Sequence, residues 1–159
     1  MVKENYERKL QALNGAVDSA KRSVDQGRYA AAIGYVDQAR GMMKGGNYRG
    51  LLTEKHAIVN GELNLIMRHA RDQVRDRLEQ GYKTVDNELA RISKGGMPTP
   101  KARRTLAEMS GYVDSLTGTD MPKSISKEFT PDKTRVDKLK KELEALATSK
   151  GGKIDWAKP

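Results

Sequence analysis

The chain has 159 residues, 36% of them apolar and 32% charged, with a formal net charge of +9. This length suits one domain or a bundle with extensions, and the composition excludes a chain that is disordered throughout. There is no cysteine, which excludes disulfides and thiolate chemistry. With one Phe and one Trp, the core falls to Leu, Val, Ile, Ala and Met, a supply that suits thin helical seams better than a thick sandwich.

The first predicted helix covers residues 3–26. Its apolar positions Tyr6, Leu10, Leu13, Val17, Ala20 and Val24 alternate by four and three, which lays one seam along a helix. Gly27-Arg28-Tyr29 turns the chain, and a second helix follows over 29–43 with Tyr29, Ala32, Ile33, Val36, Ala39 and Met43 inward. Gly45 to Tyr48 forms a loop. A long third helix then runs from Leu51 to Ile92 on Val59, Leu63, Ile66, Ala70, Val74, Leu78, Tyr82, Val85, Leu89 and Ile92. Unbroken, it would be roughly 60 Å long. Gln80-Gly81 is the expected place for a kink or break, because glycine costs about 1 kcal/mol in a helix interior.

Residues 97–100 (Met-Pro-Thr-Pro) form a linker, with Thr99 as a cap and Pro100 in the first turn of a fourth helix over 100–116. Its seam is Ala102, Leu106, Met109, Val113 and Leu116. Residues 117–130 read as a long loop. A second cap-plus-proline start, Thr130-Pro131-Asp132, opens a fifth helix over 131–148 on Val136, Leu139, Leu143 and Leu146. Lys-Gly-Gly occurs at 44–46, 94–96 and 150–152, each time after a helix-periodic stretch. Lysine complements the negative helix end and glycine takes the left-handed backbone beyond it, so all three read as helix stops. The expected fold is all-α: an elongated bundle with an N-terminal antiparallel hairpin, a long central helix and two shorter C-terminal helices. The expected organisation is 1–96, hairpin plus long helix; 97–150, a two-helix segment; and 151–159, an extended tail.

The stretch Gly27-Arg28-Tyr29 followed by Ala32-Ile33, Tyr35 and Ala39, with Ala20 before it, resembles the turn and second helix of a tetratricopeptide repeat. The resemblance covers residues 13–44, one repeat. Ala16, Ser19 and Ser23 stand where that family has large residues, and Lys44 where it often has proline. It implies an antiparallel hairpin packed closely through small alanines. It carries over no peptide-binding residues, since one hairpin forms no concave groove and arrays need about three repeats.

No constellation for catalysis emerges, so no enzyme activity and no cofactor are expected. His56 and His69 lie on different faces of the third helix, roughly 20 Å apart, too far to share a metal. No serine is marked as activated, and phosphate-binding and dinucleotide fingerprints are absent from the sequence. The pairs Asp72 with Asp76 and Glu142 with Glu144 stand beside Arg68, Arg75, Lys138 and Lys141 and read as surface ion pairs.

The positive charge is spread along the chain and interleaved with acids, which favours a solvated surface over a dedicated patch. The candidates for phosphate contact are Arg68, Arg71 and Arg75 on one helix face, and Lys101, Arg103 and Arg104 at a helix start. Cations at a helix start are disfavoured by the dipole, which hints at an acidic partner. In the tail, Ile154 and Trp156 follow Gly151-Gly152 and are the candidate partner-binding residues. Trp156 would either anchor a neighbour or dock on its own bundle.

The start of the sequence has no apolar signal segment, and no apolar run is long enough to span a membrane, so cytoplasmic synthesis is expected. The expected role is a structural or assembly protein of scaffold, adaptor or virion-component type. Its seams would be completed by copies of itself or a larger partner. The alternative is a basic accessory protein that binds nucleic acid non-specifically through phosphates.

Overall fold

The computed structural model describes residues 2–44, 53–154 and 156, with the backbone alone at 2–6 and 53–56. The Tyr6 and His56 side chains, the loop at Gly45 to Tyr48, the helix start at Leu51 and the end of the tail lie outside the described residues. The protein is all-α, with five helices and no strand among the described residues: α1 (Val2–Asp25), α2 (Tyr29–Met43), α3 (Thr53–Ser93), α4 (Pro100–Leu116) and α5 (Lys123–Ser149). It divides into two compact units, Met1–Val74 and Arg75–Pro159, and α3 contributes residues to both.

In the first unit, α1 and α2 form a hairpin. Gly27 turns it with φ of 73°, a backbone that costs glycine no Cβ strain. The turn is a Schellman cap: Gly27 N–H donates to Val24 O at 3.0 Å and Arg28 N–H to Ser23 O at 2.7 Å. Ala16, Ala20, Ala32 and Ala39 are buried, the last three completely, so small side chains let the backbones approach closely. Leu13, Val17, Ile33 and Val36 fill the remainder, together with Leu63, Met67 and Ala70 of α3. Met67 is buried, whereas the expected core position Ile66 is only half-buried. Lys21 pairs with Glu62 at 3.2 Å, and Arg40 donates to Asn64 at 2.6 Å.

In the second unit, α3 supplies Leu78, Tyr82, Val85, Leu89 and Ile92 to the core, and α4 supplies the five apolar positions of its predicted seam. Helix α3 passes through Gln80 and Gly81 without a break. Gly81 instead permits a close approach: a Cβ there would stand 2.4 Å from the sulfur of Met109 on α4. Two of the three expected glycine stops are described, and both are Schellman caps. Gly95 (φ 104°) and Gly96 close α3 through Gly96 N–H to Arg91 O at 3.0 Å. Gly151 (φ 81°) and Gly152 close α5 through Gly152 N–H to Ala147 O at 2.9 Å.

The fifth helix departs from expectation. It starts at Lys123, eight residues before the proline that marked its predicted start, and Pro131 lies inside it. An interior proline costs about 3 kcal/mol. Ile125 and Phe129, on the added turns, are 4% and 0% exposed. Each such burial contributes about 1.5–3 kcal/mol, enough to offset the proline.

Extending the helix carries the seam back through Ile125, Phe129 and Asp132 to Val136, Leu139 and Leu143, so a carboxylate stands at a core position. It is satisfied from α3. Arg75 Nη1 donates to its two oxygens at 2.8 and 2.9 Å, and the Tyr82 hydroxyl donates to Oδ1 at 2.6 Å. The Arg75 guanidinium also lies 5.0 Å from the centre of the Phe129 ring. The Arg135 guanidinium covers the Tyr82 ring at 3.7 Å and reaches Asp86 at 3.7 Å. Burial, and then the bond to Asp132, push the Tyr82 hydroxyl well above its ordinary pKa.

Two predictions follow from this packing. Asp132→Ala leaves a half-buried guanidinium and a buried hydroxyl without their acceptor and should cost about 2–3 kcal/mol in urea unfolding, below the full buried-pair penalty because Arg75 keeps some water. The triple change Arg75→Met, Asp132→Leu, Tyr82→Phe should recover to within about 1 kcal/mol of the parent; a triple variant as unstable as the single one contradicts this. In the same unit, Gly111→Ala meets open space and should stabilise by up to about 1 kcal/mol, while Gly81→Ala should gain nothing because it displaces Met109.

Candidate functional site

Among the described residues of the first unit the core seams are largely filled within the chain, so the apolar surface they leave open is narrow. Ile58 and Leu65 are 62% and 67% exposed. They lie seven residues apart, on one face of α3, with Gly61 between them. A Cβ at Gly61 would meet no atom within 4 Å, so this face is open at the backbone itself. The sequence reading of α3 followed its longest apolar stripe and passed over these two residues. They are visible in the sequence only as apolar residues out of phase with that stripe.

The expected cation clusters divide. Arg68 and Arg71 are exposed on α3. Arg75 is held by Asp132 and Phe129 inside the second unit, so it does not join them as a phosphate contact. Lys101 and Arg104 are exposed at the start of α4. Arg103, half-buried between them, lines a cleft and has a fully buried Nε with no hydrogen-bond acceptor. His69 meets Tyr29 edge-on, with ring centres 6.3 Å apart. Among the described residues, no group of His, Cys, Asp and Glu could hold a metal ion, and no helix is long and apolar enough to cross a membrane.

The turn between α3 and α4 is stitched by a pair that the sequence reading missed. Arg91 donates to both carboxylate oxygens of Glu88, through Nη2 at 2.5 Å and Nε at 3.2 Å, and also to the Met97 carbonyl. Glu88 Oε1 accepts the Thr99 hydroxyl at 2.7 Å and the Thr99 N–H at 3.1 Å. Thr99 was expected to cap α4 with its side chain. It stands at the N-cap position without a side-chain cap bond, because its hydroxyl goes to the stronger, charged acceptor. The Arg91 bonds and the two from Thr99 hold the Glu88 carboxyl down at about 2.

This stitch fixes one wall of a cleft of about 270 Å³. Met97, Pro98 and Pro100 line it from the linker, Leu143 and Ala147 from α5, and Ile154 from the tail. Arg103, Lys150 and Lys153 line it as well. Of the two candidate anchors in the tail, Ile154 therefore faces this cleft. Trp156 rests on α5, where its indole N–H donates to Glu144 and its ring lies 5.1 Å from the Lys140 ammonium. Lys140 in turn donates to Ser110 on α4 at 2.7 Å.

Compared with known proteins, the chain matches no family model, no curated protein and no solved structure. The functional reading therefore rests on these side chains alone.

The Glu88 shift sets a pH dependence. Its folded carboxyl titrates near 2 against an ordinary 4.5, so the fold favours the carboxylate. That contribution is present above about pH 4.5 and is lost as pH falls toward 2. Thermal unfolding followed across this window should show the second unit losing stability. Glu88→Gln should be less stable at neutral pH and show a shallower loss over the same window; an unchanged pH slope would mean that Glu88 does not stitch the turn.

Proposed function

We propose that this is a non-enzymatic structural or assembly protein, acting through helix packing between copies of itself. The observation that carries this reading is the Ile58–Gly61–Leu65 face of α3. Two large aliphatic side chains stand in solvent on a helix whose remaining apolar positions are largely covered. A glycine between them lets a second helix come close to the backbone. A short stripe of this kind is self-complementary across a two-fold axis, where the same patch serves both partners. Burying both residues would contribute about 3–6 kcal/mol before the cost of association. That magnitude suits a weak dimer, populated at high protein concentration, better than a tight one.

The Ile58→Glu, Leu65→Glu variant tests this. Sedimentation should show concentration-dependent association of the parent chain and a monomeric variant, with equal helicity by circular dichroism. A parent chain that stays monomeric at several hundred micromolar overturns self-assembly, and capture of a larger partner through the same two residues would then replace the second copy. The phosphate-binding alternative gains no support from Arg75, which is committed to Asp132.

A further inference from the structure

We propose that the cleft between the 97–100 linker, the start of α4, the end of α5 and the tail is a binding site for a small organic anion: an acidic head group carried on an apolar body. Three cations line it, Arg103, Lys150 and Lys153, and among the described residues no carboxylate does. The nearby acid, Glu88, is already engaged by Arg91 and Thr99. The other walls are hydrocarbon, chiefly Met97, Pro100 and Leu143. The cleft thus offers apolar surface beside unbalanced positive charge, the combination that an amphipathic anion matches.

Two further observations point to an anion. Arg103 carries a buried Nε–H without an acceptor. With no protein acceptor on that nitrogen, the guanidinium has no partner there that a ligand's oxygen would have to displace. The first turn of α4 also contains no acidic residue, while Lys101, Arg103 and Arg104 crowd its positive end. That arrangement works against the helix dipole and is relieved by a bound negative charge. The opposing negative end of α5 is muted, because Ala147 O already accepts Gly152 N–H at 2.9 Å and Lys150 N–H at 3.1 Å.

The volume sets the size of the ligand. A cleft of about 270 Å³ suits a short aliphatic or single-ring acid. A nucleotide or a folded peptide segment is too large to be enclosed. The site is independent of the Ile58–Leu65 face, which belongs to the first unit.

Titration calorimetry with octanoate on the full chain tests the proposal, with 1-octanol as the uncharged probe of equal chain length. Octanoate should bind at least tenfold more tightly than octanol and weaken as salt is raised. Lys153→Gln and Arg103→Met should each weaken octanoate about tenfold, while Arg68→Gln, an exposed cation of the first unit, should leave it unchanged. Octanoate should also raise the unfolding temperature of the parent chain more than that of Lys153→Gln, a variant in the tail that leaves the helices intact. Three results would each overturn the site: octanoate binding no better than octanol, binding indifferent to Lys153→Gln, or no binding at 10 mM. If Arg103→Met fails to fold, Lys153→Gln alone decides.

Discussion

A single buried carboxylate organises the second unit. Asp132 occupies a seam position of α5 that would otherwise hold a leucine or valine, and it is 7% exposed. Three donated hydrogen bonds from α3 satisfy it, two from Arg75 and one from Tyr82. Apolar seams on two helices can slide past one another by a turn and still bury similar area. A buried acid cannot, since any other register leaves it unpaired at a cost of several kcal/mol. The ion pair thus contributes to register more than to net stability. The interior proline and the early start of α5 are consistent with this, because only the extended helix carries Phe129 and Asp132 into one seam.

The first unit reaches specificity by another route. Its only buried polar side chain among the described residues is Ser23. Four buried alanines set the distance between α1 and α2, and a glycine in the left-handed region sets the turn. Close packing of small residues tolerates little change in volume, so shape does there what charge does in the second unit. The two units therefore respond to different perturbations, the first to side-chain size and the second to the protonation and pairing of acids.

The two surfaces proposed for binding arise where these two solutions stop. The Ile58–Leu65 face is apolar area left over once one stripe of α3 has been buried. The basic cleft forms because the start of α4, the end of α5 and the tail meet around a stitched linker, and because Arg91 and Thr99 engage the Glu88 carboxylate. Composition alone would score Arg103, Lys150 and Lys153 as surface charge; their convergence on one cavity is a property of the packing.

Helix positions were legible in the sequence wherever one apolar period and a glycine stop agreed. The hairpin, α3, α4 and both described Lys-Gly-Gly caps were read this way, since these signals act within a few residues of backbone. Local signals misled at Thr130-Pro131-Asp132, where a good start motif lies inside α5, and at Gly81, where a helix-weakening residue makes room for Met109. In both cases burial against another helix outweighs the local preference. The pairings were not legible at all: Asp132 with Arg75 and Tyr82, Glu88 with Thr99, and Arg103, Lys150 and Lys153 around one cleft. Each joins residues whose proximity depends on how helices cross, and a one-dimensional period specifies which face is buried without specifying what it meets.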